Sequence, residues 1–490
     1  MIIRTQSKTG GTNIQTTPHT LFQSSSESVD LKRLFSQMKR DWWELESYSE
    51  IVRKIRHYAA EGKLRPIAIV TSGPISDYSV GSLELELSKA IELSGIELPK
   101  EILSWHAINH NLDLRKSEEV VRRLNSLGAS FVPSGHSNST TPSVSMMIDS
   151  RDSVQEYVDS IEHDPIICWL DSDLEFSTLI ADGNEVKVRQ PWPWIHMVWN
   201  EWTIRSDVDI LVGDVTGDPP VPASSTILTN LRDLAQLGRL TDSSRWSIRD
   251  PSYDLSEIHS SDACFPAISG NWLEGSKILE ALLWKGTLNR PLVASSNVLL
   301  EPHRPWFVRG GVTVVFNRDV MRTPTPRFVV NGVTARRGDS FWLIRNVIMN
   351  GFVSRHFSFP LLHRRTHKSE GVEELISSFE SRLLSDLLGA SALKGTSNTL
   401  GNDNSSLVKE IRSALSLRVM QSRRVLSGAM ETMRFVKEEI PNPEFGIILG
   451  ALSKSLGNLD ELDVEDSINI MSTQISDYLE VDENGIFLDR

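Results

Sequence analysis

The sequence predicts a doubly wound α/β fold, in which a mostly parallel sheet carries helices on both faces and helical segments flank it at either end. Three observations predict it. Ile67–Val70 and Ile166–Leu170 are short unbroken apolar runs, which read as strands buried on both faces. Between them, Leu83–Leu93 and Ser117–Leu127 carry apolar residues at helical spacing, and Gly128 closes the second. From Ser369 onward, helical spacing replaces strand patterns.

The bulk properties narrow the classes. A chain of 490 residues has room for two or three domains and a large core. A formal net charge of −13 argues against a non-specific nucleic-acid binder, which needs a basic face. Cys168 and Cys264 are the only cysteines, so there is no disulfide framework and no zinc spacing, as expected in a reducing compartment. No apolar run is long enough to span a bilayer. Residues 1–29 are rich in Ser, Thr and Gln, lack the apolar core of a secretory signal, and are expected to form a disordered tail. A cytoplasmic location is the expectation that follows.

Taken in order, residues 30–63 repeat Leu31, Leu34, Phe35, Met38, Trp42 and Trp43 at helical spacing and read as a lead-in of one or two helices. The main domain, residues 64–368, opens with the strand at Ile67–Val70, and Thr71-Ser-Gly-Pro forms the turn after it. Ile102–Ala107 and Ala129–Pro133 are further strands, and Ile148–Ile161 a helix. The strand Ile166–Leu170 then stops at two carboxylates, Asp171 and Asp173. Side chains at i and i+2 of an extended segment point the same way. Two carboxylates so placed repel each other unless a cation lies between them. Oxygen ligands of this kind suit Mg²⁺ or Mn²⁺, bound together with substrate phosphates. The plainer alternative is a turn opened by Asp171 and a helix capped by Asp173.

Beyond lies Gln190-Pro-Trp-Pro-Trp-Ile-His-Met-Val-Trp-Asn-Glu-Trp202, whose indoles suit either core packing or stacking on a sugar, with packing favoured. Asp207–Gly213 reads as a strand and Leu228–Leu237 as a helix. Gly310 and Gly311 before an apolar strand suggest a close backbone approach to a ligand, or a turn. Arg336-Arg337-Gly338-Asp339 precedes a helical pattern. Asp339 there is either a favourable helix-start charge or a rigidly held general base, and the two arginines either meet phosphates or are solvated. His363, after the short strand Phe357–Leu362, is either structural or a third metal ligand. The region 369–490 shows helical spacing over Val372–Leu388 and Leu407–Val436, an intervening Gly/Ser/Asn linker at 395–406, and an acidic end. It reads as a packed cover, with self-association or partner binding as other roles.

The order of these elements resembles the nucleotide-sugar glycosyltransferases of the GT-A (Rossmann-like) fold, nearest to the inverting family-two-like group. It runs from Ile67-Ala-Ile-Val70 through Asp171-Ser172-Asp173 and Gly310-Gly311 to Arg336-Arg337-Gly338-Asp339, and the resemblance covers Leu64–Lys368. It implies Mn²⁺ or Mg²⁺ held by Asp173 with help from Asp171, and His363 at a late metal-ligand position. It implies a donor pocket including Thr71, Arg151, Gly310, Gly311, Arg336 and Arg337, and Asp339 as catalytic base. The donor would be a UDP- or GDP-sugar and the acceptor a hydroxyl. Two other classes are weighed against it. One is a phosphotransferase or phosphatase with Asp171 as nucleophile, disfavoured because Leu174-Glu175 follows where a small polar pair is usual. The other is a sugar- or partner-binding protein without catalysis.

Overall fold

The computed structural model describes residues 46–72, 77–95, 103–109, 122, 130–133, 152, 154–158, 160–161, 164–171, 173–182, 185–189, 193–204, 207–217, 294–295, 313–363, 372–399, 404–439 and 443–479. In chain order the elements begin with α1 (Glu46–Ala60), β1 (Ile67–Ser72), α2 (Asp77–Ser94), β2 (Leu103–Asn109), β3 (Ser130–Pro133) and β4 (Ile166–Asp171). Next come β5 (Leu174–Glu175), β6 (Thr178–Asp182), β7 (Glu185–Arg189), α3 (Trp194–Ile204), β8 (Ile210–Gly217), β9 (Ala294–Ser295) and β10 (Thr313–Asn317). The remainder are β11 (Val329–Val330), β12 (Val333–Thr334), α4 (Gly338–Ile344), β13 (Ser354–His363) and the helices α5 (Val372–Thr399), α6 (Asn404–Glu439), α7 (Pro443–Asp460) and α8 (Val464–Leu479). The expected tail at 1–29, the helix at 228–237 and, apart from Arg122, the helix at 117–127 lie outside the described residues.

The α/β expectation holds. An eight-stranded sheet runs β3-β2-β1-β4-β10-β8-β13-β5. The first four strands are mutually parallel, with Ile67 of β1 opposite Leu103 on one side and Ile166 on the other. Strand β10 runs against both β4 and β8, β13 returns parallel to β8, and β5 opposes β13. Parallel pairs therefore prevail in a mixed sheet. A small second sheet, β7-β6-β9, is joined to it where the Leu179 N–H of β6 donates to the Thr216 hydroxyl of β8 (2.9 Å).

Alternation along the strands makes two apolar faces. Ile67, Ile69, Ile166, Cys168 and Leu170 pack with α1, α2 and α3 on one face. Ala68, Val70, Ile167, Val314 and Phe316 pack with Val154, Val158, Trp342 and Leu343 on the other. Both faces are covered, which explains the unbroken apolar runs in β1 and β4. The tryptophans of α3 follow the packing alternative, since Trp194, Trp199 and Trp202 are all buried. Their indole N–H groups donate to Phe359 O (3.2 Å), Arg65 O (3.0 Å) and Asn317 Oδ1 (3.0 Å), pinning the helix to the sheet. Glu86 of α2, fully buried, accepts the Ile195 N–H (2.9 Å) and so satisfies an orphan donor at the start of α3.

The C-terminal helices form a third core, which reaches into the main domain through Phe328, Val330, Ala335, Phe341 and Ile344. Here the structure corrects the expected linker at 395–406. Helix α5 runs unbroken to Thr399 and α6 begins at Asn404. The residues that suggest a linker have helical uses. Thr396 and Thr399 bond back to the carbonyls of Ala392 (2.9 Å) and Gly395 (2.8 Å). Gly395 faces α6 so closely that a Cβ would meet Ile411. The acidic end also folds: α8 carries Glu465 and Asp466 in its first turn, where they complement the helix dipole.

His196 of α3 is fully buried, and its Nε2 lies 3.1 Å from the carbonyl oxygen of Ala90, so Nε2 is the protonated nitrogen of a neutral ring. Burial pushes its pKa down to about 4. Between that value and the ordinary pKa of ~6.5 the unfolded chain binds a proton that the folded chain excludes, so stability falls as pH falls through this window. The loss attributable to His196 is on the order of 2–3 kcal/mol. Urea unfolding of wild type and His196→Gln at pH 7.0 and 4.5 checks this, the variant being expected to lose less stability on acidification.

Candidate functional site

The carboxyl ends of the parallel strands are where open α/β sheets place their ligands. Strand β4 carries its apolar run to that edge and stops at Asp171, opposite Ser72 of β1. Asp173 follows in a turn, and the chain then pairs Leu174 and Glu175 antiparallel with His363 and Leu362 at the end of β13. That pairing brings together two residues 190 positions apart. His363 Nε2 lies 3.0 Å from Asp173 Oδ2, with side chains 3% and 20% exposed respectively. On the other side of His363 lies Gly217, the last residue of β8, at φ +88°. A Cβ on Gly217 would run into the carbonyl of His363. The glycine thus permits the close approach that seats the histidine.

The carboxylate oxygen and imidazole nitrogen converge as two donors to one cation would, with the more exposed carboxylate toward solvent. Among the described residues no group of three or more His, Cys, Asp and Glu side chains has metal-holding geometry. The pair fits a divalent ion whose remaining ligands are water and substrate phosphate, which is how Mg²⁺-type ions are usually held in phosphate chemistry.

Asp339 lies in the first turn of α4, as the helical pattern after Ser340 predicts. Beyond its first turn the helix is apolar on both flanks, and every residue of it except Asp339 is buried. Trp342 and Leu343 face the sheet, while Phe341 and Ile344 face the C-terminal helices. Trp342 meets Trp169 of β4 edge to face, centroids 6.5 Å apart, and packs similarly on Phe316 at 5.6 Å. Trp169 is two residues before Asp171 and Trp342 three after Asp339, so both carboxylates belong to elements on the same face of the sheet. A π-helical turn (Arg345–Met349) follows α4, and buried Asn346 bonds Trp342 O and the Thr323 hydroxyl. The chain then enters β13 at Ser354, opposite Ile210 at the start of β8. Helix α4 consequently descends toward the amino ends of the parallel strands, and its first turn, with Asp339, is directed toward the carboxyl edge.

The turn that launches α4 is held by α5. Arg337 has a left-handed backbone (φ 78°, ψ 18°), a costly conformation for a side-chain-bearing residue. Its guanidinium lies 3.0 Å from the carboxylate of Asp386, which is completely buried. The Arg336 N–H donates to Ser385 O (3.1 Å), and the Ser385 hydroxyl donates to Thr334 O. Gly389, one turn on, lies so close to the Arg336 backbone that no side chain would fit.

The structure therefore unites Asp173 with His363, and sets Asp171 and the helix of Asp339 over one face. Thr71 is buried in β1 and alternates onto the opposite face, with Ile67 and Ile69. Arg337 is matched to Asp386, and Arg336 contributes its backbone to the same anchorage. Arg151, Gly310 and Gly311 lie outside the described residues. Sequence reasoning missed Gly217, Ser385, Asp386 and Gly389. Asp386 and Gly389 carried a signal: one acid and one glycine stand inside Leu383–Ala392, a stretch otherwise apolar or small.

Replacing Gly217 by Ala is expected to destabilise the fold by about 2 kcal/mol or more, from the positive φ and the collision with His363 together. Chemical denaturation measures it.

No protein-family profile matches the chain, and no curated protein matches it in sequence. Solved structures that resemble it include the following three. The mannosyltransferase PcManGT from Pyrobaculum calidifontis, in complex with GDP-Man and Mn²⁺, is 10% identical over 87% of this chain and 95% of its own, with a TM-score of 0.33. Glucosyl-3-phosphoglycerate synthase from Mycobacterium tuberculosis, in complex with Mn²⁺, UDP and phosphoglyceric acid, is 11% identical over 71% and 83%, with a TM-score of 0.32. TarS from S. aureus is 10% identical over 85% and 91%, with a TM-score of 0.29. Overlap of this extent decides neither chemistry nor substrate, which rest on the side chains at the sheet's carboxyl edge.

Proposed function

We propose that the protein is a metal-dependent glycosyltransferase, moving a hexose from a UDP- or GDP-sugar to an acceptor hydroxyl with inversion. The observation that carries the reading is the Asp173–His363 pair at the carboxyl edge of the sheet, formed by the pairing of β5 with β13. Asp173 and His363, with Asp171 beside them, would hold Mn²⁺ or Mg²⁺. Such an ion supplies positive charge against the oxygens of the departing diphosphate.

Asp339 supplies the other half of the chemistry. In an inverting transfer the bond from the anomeric carbon to the diphosphate breaks as the acceptor oxygen attacks from the opposite side. That oxygen must lose its proton, and a carboxylate on a fully packed helix can take it without rearranging. A base so placed contributes on the order of 10²–10⁴ in rate. Rigid seating adds to this, because misplacement of a reacting group by about 1 Å can cost 10²-fold.

Calorimetric titration of UDP, GDP, UDP-glucose and GDP-mannose, with Mn²⁺ and with chelator, tests the reading. Binding of one nucleotide only in the presence of Mn²⁺, lost in Asp173→Ala and kept in Asp339→Asn, is the expected outcome. Absence of binding by any of the four under both conditions would sink it. With a donor in hand, Asp339→Asn is expected to lower turnover by 10²-fold or more, on the scale of ~10²–10⁴ for a general base.

A further inference from the structure

We infer that Asp386, on the C-terminal helix α5, is a positioning residue for Asp339 and acts through Arg337. The inference rests on the reading of Asp339 as the base. Arg337 precedes α4, and its carbonyl accepts the N–H groups of Ser340 (3.0 Å) and Phe341 (3.1 Å), the first bonds of the helix. The left-handed backbone of Arg337 therefore sets where α4 begins and which way Asp339, two residues on, projects. That backbone state is costly for arginine and persists only where its surroundings impose it.

Asp386 imposes it. The carboxylate is completely buried and the Arg337 side chain is 15% exposed, so neither charge is solvated unless the pair forms. The pair ties the turn to α5 inside the core. Ser385 and Gly389 act on the same turn from the same helix, through the Arg336 N–H and through close backbone contact. A helix that merely covered the site would need apolar contact alone. A buried acid matched to the residue at the helix start gives α5 a defined grip on the orientation of Asp339.

The test compares Asp386→Asn with Leu387→Ala, which empties a core position one residue away without touching Arg337. Asp386→Asn removes the charge paired with the buried Arg337, so the double variant Arg337→Gly/Asp386→Asn, in which glycine adopts the left-handed state freely, guards against loss of folding. The readouts are nucleotide release from UDP-glucose and GDP-mannose with Mn²⁺, nucleotide Kd, and amide hydrogen exchange by mass spectrometry. Asp386→Asn and the double variant are each expected to lower kcat about 10- to 100-fold. Nucleotide Kd should stay within about twofold, because the Asp173–His363 pair lies on other elements. Exchange should quicken over residues 336–341 ahead of the rest of the helical region. Leu387→Ala should lower the melting temperature and leave kcat alone.

Equal losses of kcat in Asp386→Asn and Leu387→Ala, or wild-type kcat in the double variant, would overturn the inference. Normal turnover in Asp339→Asn, or no turnover of either donor by wild type, would overturn the functional reading instead and remove the catalytic meaning of any change in exchange.

Discussion

The structure depends on the burial of one short helix. Helix α4 is seven residues long, far too short to be stable alone, and it stands because both its sides are filled. Trp342 and Leu343 enter the core beneath the sheet, while Phe341 and Ile344 enter the core of the C-terminal helices. The two cores share this helix as a common wall. The C-terminal helices therefore pack as part of the same body as α4.

Each end of the candidate site is built by a different device. The Asp173–His363 end arises from strand register: β5 lies against the last residues of β13, β13 lies against β8, and Gly217 lets His363 come close. The Asp339 end arises from charge and backbone conformation, through Arg337 and Asp386. Strand register is cooperative and hard to shift by one residue, since a slip would send every side chain to the wrong face. The turn at Arg337 has no such redundancy, and α5 supplies it from outside the sheet.

Much of this was legible in the sequence because local rules carried it. The apolar runs of β1 and β4 needed only the absence of polar residues to declare strands covered on both faces. Asp339 at a helix start and Asp173 after a buried strand followed from pattern changes within a dozen residues. The rest depended on contacts between distant segments. Nothing near Asp173 tells that a residue 190 positions later will face it, because that follows from the pairing of β5 with β13. Gly395, Thr396 and Thr399 have linker composition and helical geometry, since Ile411 of the next helix fills the space beside the glycine. The hairpin β11–β12 was overlooked although Asn331-Gly332 supplies the paired positive φ values (48° and 80°) that two-residue turns require. Its strands are only two residues long, below what periodicity can register.

The grip of α5 on the turn at Arg337 has a consequence for synthesis. A ribosome releases the sheet strands, with Asp173 and His363, and Asp339 before it releases Asp386, so a nascent chain can complete its sheet while the start of α4 is still unanchored. Only after α5 has emerged and docked does Arg337 find its counter-charge. The order of residues along the chain thus separates the synthesis of Asp339 from that of the residue that seats its helix start.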